Sequence, residues 1–411
     1  MAFPAQIFKL VRNLFSAIPI QATLAGIVLC APLILVLTFR YVALRLPARG
    51  HQIWRGYRWN SRLLFFGTVA CWWALWDWSQ PFLLSGRVDS LWPAFSDPAV
   101  REMVFCLLPL TALFIAQTIA YLTDKSVNDL HWSRMSILRQ AFWSLIRNVV
   151  PLLFISAAFR AIFDGELLGV LWLICAFVVF LIGKSFHDKA MGMNLRLLKS
   201  GEMRHRAMAL AEKMDVDLRR VYVVPQGKGH SLNAFAGLGS ISLTDTLSQH
   251  LNRAEVDCTI AHELSHLKLG HAPKLFLVLF SVFAFLSLLF FGWPVRVPAI
   301  RPALDFLVIF APFLVFYFFS RRFEYQADRE SAGTSRSPEI EISALIKLHR
   351  AAEAPLQFGA LTEMFLTHPS LMHRVSAIAR SGGIAETRVE EMLGTVPRTK
   401  ERAKAPDAAG I

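Results

Sequence analysis

His-Glu-Leu-Ser-His, at residues 262–266 near the start of the last third of the chain, has the spacing His-Glu-x-x-His. On a helix, this spacing sets two imidazoles one turn apart with a carboxylate between them. We expect a helix to open at Ala254, with Thr244 or Asp245 as its cap. Its apolar side chains share one face that excludes both histidines, and they are Val256, Ile260, Leu264 and Leu267. The pattern predicts a helix that packs on a sheet and presents two imidazoles to a cleft.

The residues before this helix predict the sheet. Residues 194–214 have a helical pattern, and Arg-Val-Tyr-Val-Val-Pro at residues 220–225 has the pattern of a strand closed by proline. Residues 231–236 and 240–243 supply two more strands, with Gly237 and Gly239 in the turn between them. Together with the motif helix, they predict a small α+β domain.

The composition indicates a membrane protein. The chain is 55% hydrophobic and only 18% charged, against roughly 25% charged residues in soluble domains. Seven stretches are apolar enough to be predicted spans, and they are residues 13–39, 63–84, 103–122, 141–163, 167–183, 275–293 and 303–320. The fourth has only 12 uncharged residues between Arg147 and Arg160, fewer than the ~20 that a crossing helix needs. A re-entrant or surface helix is the alternative there.

The basic residues predict the orientation. The loop predicted at residues 40–62 carries six arginines and no acid, which favours the cytoplasmic side. With seven spans, the basic region after Gly183 lies on the same side, so the motif faces the cytoplasm, in a bacterial inner membrane. Anionic lipid explains the net charge of +13 better than nucleic acid does. The five cysteines have no paired spacing, so no disulfide framework or thiolate metal site is expected.

A catalytic zinc ion needs a third protein ligand and one open position. Glu324 is the best candidate, because a two-span hairpin returns the chain beside the motif. Asp328 lies one turn further on, placed to accept the outer N–H of a ligating histidine. Glu330, from its helical phase, and Asp305, from its membrane position, are less attractive ligands. The histidines at positions 271 and 373 are interpreted as ordinary, since three ligands are already supplied.

The expected chemistry is hydrolysis. Zinc lowers the pKa of bound water to about 7, and Glu263 would take its proton and deliver it to the leaving amine. The negative oxygen of the tetrahedral intermediate needs a further donor. The candidates are Asn233, His368 and Arg374.

Four blocks in this order carry a resemblance to a known family. They are Asn-Ala-Phe-Ala at 233–236, His-Glu-Leu-Ser-His with a following Gly-His, Glu-Tyr-Gln-Ala-Asp at 324–328, and Thr-His-Pro-Ser-Leu-Met-His-Arg at 367–374. Over residues 184–379 the chain resembles the integral-membrane zinc peptidases that include CAAX prenyl protease type 1 and the bacterial protease HtpX. Seven spans are more similar to the prenyl protease branch than to HtpX, which has four.

The resemblance implies roles for eight residues. His262, His266 and Glu324 would bind one zinc ion, and Glu263 would be the catalytic base. Asn233 and His368 would approach the substrate carbonyl, and Asp328 and Arg374 would organise the groups behind the ligands. The strand around residues 233–236 would pair with extended substrate backbone.

We therefore expect a mainly α protein with about seven transmembrane helices and a small α+β, gluzincin-like zinc-metallopeptidase domain at the membrane surface. The expected segments are a membrane domain (1–183), the first half of the catalytic domain (184–273), a two-span hairpin (274–320), the second half (321–393) and a disordered tail (394–411).

The expected function is a zinc endopeptidase that cleaves membrane-associated or misfolded membrane proteins, with the lipid bilayer and a protein or peptide substrate as partners and no nucleic acid. One alternative is a transporter or channel with a structural zinc domain, supported by Asp77, Arg147 and Asp305 in predicted spans. Another is a non-catalytic scaffold, although such a binder has no need of Glu263 beside the metal. A site-two type protease is disfavoured, because charged residues flank the motif.

Overall fold

The computed structural model describes residues 20–83, 98–127, 133–148, 168–190, 195–225, 232–237, 239–292, 301–334, 337–352 and 354–395, with five positions between 150 and 158. The chain divides into two compact units, Met1–His187 with Ser287–Phe310, and Asp188–Leu286 with Ala311–Ile411. The predicted disordered tail lies almost wholly outside the described residues.

The described part of the first unit is helical. Its helices are α1 (Ile20–Arg45), α2 (Pro47–Leu83), α3 (Pro98–Val127), α4 (Arg134–Asn148) and α5 (Leu168–Ala190). The loop predicted at residues 40–62 is wrong, because α1 and α2 are helical through it apart from Leu46. Arginine is a good helix former, and a proline at the first helical position costs little. A Cβ on Gly50 would lie 2.6 Å from the carbonyl oxygen of Val42, so only glycine permits this close turn.

The described residues contain fewer candidate membrane-spanning helices than the seven predicted. Among the described residues, Leu24–Arg45 and Leu168–Ala190 are each long and apolar enough to cross a membrane. A third candidate is the pair Arg253–Lys268 and His271–Leu286, which are bent by 46° at the break between them. The seven predicted spans are not confirmed.

The second unit contains a four-stranded sheet in the order β1-β2-β4-β3. The strands are β1 (Arg196–Leu197), β2 (Arg220–Val224), β3 (Ala234–Gly237) and β4 (Ser240–Thr244). β2 and β4 are parallel, whereas β3 pairs antiparallel with β4, with Ala236 opposite Ile241. The helix predicted at residues 194–214 is α6 (Glu202–Lys213), shorter than expected because β1 and Gly201, at φ 106°, precede it.

The motif helix is α8 (Arg253–Lys268), preceded by the short α7 (Leu247–His250). The predicted cap at Thr244 or Asp245 is wrong. The Asn252 side chain accepts the backbone N–H of Glu255, and the Glu255 carboxylate accepts the N–H of Asn252, which is a capping box. The apolar face of α8 packs into the core of the sheet, as predicted, through Val256, Ile260 and Leu264.

Among the described residues, six helices follow α8. They are α9 (His271–Gly292), α10 (Arg301–Thr334), α11 (Pro338–Ala351), α12 (Ala360–Met364), α13 (Leu371–Gly382) and α14 (Glu386–Thr395). A second apolar core is formed by α11, α13 and α14. The Ser331 hydroxyl on α10 lies 3.1 Å from the carbonyl oxygen of Cys258 on α8 and 2.7 Å from Glu341 on α11. These contacts hold α10 against the motif helix.

Candidate metal centre

The two motif histidines meet tip to tip. His262 and His266 lie one turn apart on α8, and their Nε2 atoms are 3.2 Å apart. Both side chains are largely buried. The apolar face of α8 is held in the core of the sheet, so the imidazoles project on the other side, as the sequence pattern predicted.

Glu324 on α10 completes a triangle with these nitrogens. Its Oε2 lies 3.6 Å from His262 Nε2, and its Oε1 lies 3.5 Å from His266 Nε2. Glu324 is buried, and α10 runs without a break from Arg301 through the predicted seventh span. Arg321, the alternative partner for this glutamate, instead donates to backbone carbonyls of residues 363, 364 and 366.

These three residues fit a zinc ion. Tetrahedral zinc with ligand bonds of about 2.0–2.2 Å needs donor atoms roughly 3.3–3.6 Å apart, close to the separations in the triangle. The structure also brings together His262, Asp328 and Glu341 as a second possible metal-binding group. That group is less suitable, since both carboxylate oxygens of Asp328 already accept hydrogen bonds from Arg374 and burial raises the pKa of Glu341 to about 7.

Charged groups surround the outer side of His262. Its Nδ1 lies 3.1 Å from Asp328 Oδ1. Arg374 Nε donates to Asp328 Oδ2 at 2.9 Å and Nη2 donates to Oδ1 at 2.5 Å. Arg374 Nη1 also lies 3.2 Å from Glu324 Oε2. The largely buried guanidinium of Arg374 therefore contacts both the third candidate ligand, Glu324, and the carboxylate behind the first ligand.

Neutral groups surround the outer side of His266, and sequence reasoning missed them. His266 Nδ1 lies 2.8 Å from Nδ1 of His271, whose Nε2 lies 3.2 Å from Gln326 Oε1. The buried His271 ring stacks on Phe323 at 4.4 Å, with 2° between the planes. The signal in the sequence was Gly270-His271 directly after the motif helix, because a turn there brings the next histidine back onto the motif.

Glu263 faces the sheet edge. It is buried, and its carboxylate accepts a hydrogen bond from the backbone N–H of Ala236 on β3. Burial raises the pKa of Glu263, and the nearby Glu324 carboxylate raises it further, while His262 and His368 lower it. The result is a carboxylate with increased affinity for a proton, beside the triangle.

The remaining predicted site residues differ in position. His368 Nδ1 lies 2.9 Å from Glu324 Oε2 while 64% of its side chain is exposed, so it lies at the mouth of the cluster. Asn233 is exposed, and its carboxamide oxygen accepts the N–H of Ala234. Glu330, an unattractive ligand from sequence, pairs with Lys268 at 2.5 Å.

The titratable groups of the cluster shift one another's pKa values. Burial opposes ionisation of Glu324, but His368 and Arg374 hold its pKa well below the usual range. Burial likewise opposes protonation of His262, yet Asp328 and Glu324 hold its pKa well above the usual value. Burial and the neighbouring His262 lower the pKa of His266 to about 3. The neighbours of the two histidines therefore shift their pKa values in opposite directions.

Several known proteins are similar to this chain. Residues 197–381 match the family described as Peptidase family M48. A Protease HtpX homolog of Salinibacter ruber is 30% identical over 213 residues, which cover 49% of this chain and 72% of that protein. One of Moorella thermoacetica is 30% identical over 208 residues, or 42% of this chain and 69% of that protein. The crystal structure of S. mikatae Ste24p aligns with a TM-score of 0.44 and 17% identity, over 88% of this chain and 99% of that chain.

A helix with His-Glu-x-x-His beside a buried glutamate, in a chain with apolar helices, defines the class of membrane metalloproteases. The chain belongs to peptidase family M48. The prediction of a membrane metallopeptidase similar to HtpX is confirmed, and the transporter and scaffold alternatives are not favoured.

Proposed function

We propose that His262, His266 and Glu324 bind one zinc ion and that Glu263 is the general base of an endopeptidase. The observation that carries the proposal is the convergence of two Nε2 atoms and one carboxylate at 3.2–3.6 Å. Zinc in such a site would act as a Lewis acid and lower the pKa of a bound water to about 7.

Glu263 is suited to move the proton. Its carboxylate lies beside the ligands and has a raised pKa, which brings it nearer to the value that suits a base at neutral pH. It would take the proton of the attacking water and deliver it to the amide nitrogen of the leaving group. The N–H of Ala236 orients this carboxylate from the outer edge of β3.

Two further groups are proposed to contact the substrate. Among the described strands, β3 lies at an edge of the sheet, and its residues Phe235, Ala236 and Gly237 are exposed, which supports pairing with an extended peptide beside Glu263. His368 is the exposed donor at the mouth of the cluster and would approach the substrate carbonyl, with Asn233 at the start of the same strand. Arg374 is largely buried in its ion pairs, so it is proposed to hold Asp328 and Glu324 in place.

The substrates are proposed to be membrane-associated or misfolded membrane proteins, cleaved on the cytoplasmic side of a bacterial inner membrane. The support is the short connection between α8, which ends at Lys268, and α9, which begins at His271. Large apolar side chains on α9 are exposed, among them Phe276, Leu277 and Phe280. A site this close to an apolar surface suits substrates held at a bilayer.

Paired variants test the proposal. Glu263→Gln should keep stoichiometric zinc but lose cleavage of an unfolded membrane-protein substrate by about 10²–10⁴-fold, while His262→Ala should lose both. Glu330→Gln, on α10 but paired with Lys268 at the surface, is the matched control and should change neither. An undiminished rate in Glu263→Gln would refute the assignment of the base.

A further inference from the structure

The two candidate histidine ligands need the same tautomer, but different groups lie beside their outer nitrogens. For Nε2 to offer a lone pair to a metal, a neutral imidazole must carry its proton on Nδ1. Asp328 is an acceptor that favours this tautomer at His262. At His266 the neighbour is another imidazole, so the direction of the shared hydrogen bond decides the tautomer.

The contact between Gln326 and His271 sets the direction of the hydrogen bond between His271 and His266. Gln326 presents its amide oxygen, which only accepts, to Nε2 of His271 at 3.2 Å. His271 must then carry its proton on Nε2, which leaves a lone pair on its Nδ1. The proton in the 2.8 Å contact between the two Nδ1 atoms therefore belongs to His266. Nε2 of His266 is left bare and faces the triangle.

We propose that His271 is a positioning residue that, with Gln326, fixes the metal-binding tautomer and ring orientation of His266. This inference rests on the proposed function, since it assumes that His266 is a ligand. The sequence pattern assigned no role to His271.

The surroundings of His271 support a fixed geometry. Its ring is almost fully buried and lies parallel to Phe323, which restricts rotation about its side-chain bonds. Phe323 and Gln326 both lie on α10, the helix that also carries Glu324. Gly270, at φ 61°, makes the turn that folds His271 back onto α8, in a backbone conformation that other residues rarely adopt. Helix α10 therefore carries the third candidate ligand, Glu324, and also the two residues that hold His271 behind His266.

The experiment compares two amides at position 271 in the purified full-length protein. Asn places an acceptor oxygen where the imidazole has Nδ1, whereas the longer Gln side chain places it near the position of Nε2. We expect His271→Asn to bind zinc within about threefold of the wild type, and His271→Gln and His271→Leu to bind it at least tenfold more weakly. Zinc affinity is measured by chelator competition, and the visible absorption of the cobalt-substituted protein reports whether the imidazole ligand is retained.

A second pair of variants tests the contact between Gln326 and His271. Gln326→Glu keeps an acceptor and should retain zinc affinity, whereas Gln326→Met, of similar length, should weaken it severalfold. His205→Asn, at an exposed position on α6, is the control for loss of a histidine. The positioning role of His271 is refuted if the His271→Asn and His271→Gln variants bind zinc equally, or if Gln326→Met binds it as tightly as Gln326→Glu. Loss of zinc in His266→Ala keeps the ligand assignment; retention there would instead refute the proposed function.

Discussion

His262 and His266 lie one turn apart on the same helix, yet their outer nitrogens have opposite surroundings. Behind His262 lie a buried carboxylate and a largely buried guanidinium. Behind His266 lie an imidazole and an amide. Ion pairs taken out of water are costly to break from one side, whereas neutral hydrogen bonds cost less. The charged side should therefore govern stability, and the neutral side should govern only the fit of the metal.

Removing the arginine should have the largest effect. Arg374→Leu leaves Asp328 and Glu324 buried without their shared cation, which should destabilise the protein by about 3–5 kcal/mol. Arg388→Leu removes an exposed arginine on α14 from its ion pairs with Glu339 and Glu391 and should leave the free energy of unfolding almost unchanged. Unfolding in detergent measures both, and equal stabilities for the two variants would contradict the account.

Glu341 gives the charged side a pH dependence. Burial raises its pKa to about 7, so the folded state holds this proton more tightly than the unfolded chain does. Its contribution to stability is complete below about pH 4.5 and is lost as pH rises through 7. The loss is on the order of 3 kcal/mol.

Glu341→Gln should remove that dependence. In zinc-depleted protein the variant should unfold at the same temperature as the wild type near pH 4.5 and at a higher temperature at pH 8. A constant difference between the two proteins across this range would show that Glu341 does not titrate there.

Asp328→Asn tests, through zinc affinity, whether the groups behind His262 and His266 differ as described. The substitution keeps the shape of the side chain but removes its charge, and we expect zinc affinity to fall about 10–100-fold. An amide should thus be harmful behind His262, whereas His271→Asn should be tolerated behind His266. Chelator competition on both variants checks this, and the opposite order would contradict the distinction between the two sides.

The smallest effect is expected away from the site. Lys268 on α8 pairs with Glu330 on α10, and both side chains are about one third exposed. Lys268→Ala should therefore cost less than about 1 kcal/mol and leave zinc affinity unchanged. Metal titration and thermal unfolding together test whether the two helices depend on their buried contacts alone.

The candidate ligands could be predicted from the sequence better than the residues that form hydrogen bonds with them. The spacing of the motif and the position of Glu324 after an apolar stretch were sufficient to name the residues that converge. No role was predicted for His271, because the number of ligands says nothing about the hydrogen bonds behind them. Its contact with His266 also depends on the turn at Gly270.

In the fold, β2 and the core face of α8 could be predicted from residue patterns. The cap of α8 was missed because Thr244 and Asp245 are also good capping residues, and α7 lies between them and Asn252. The loop predicted at residues 40–62 was wrong because arginine density indicates side of membrane, not backbone conformation.

The central claim is that His262, His266 and Glu324 share one zinc ion, and diffraction from zinc-loaded crystals at the zinc absorption edge tests it most directly. The account predicts one anomalous peak about 2.0–2.2 Å from both Nε2 atoms and from a carboxylate oxygen of Glu324. A peak bound elsewhere, or one that leaves Glu324 outside bonding distance, would contradict it.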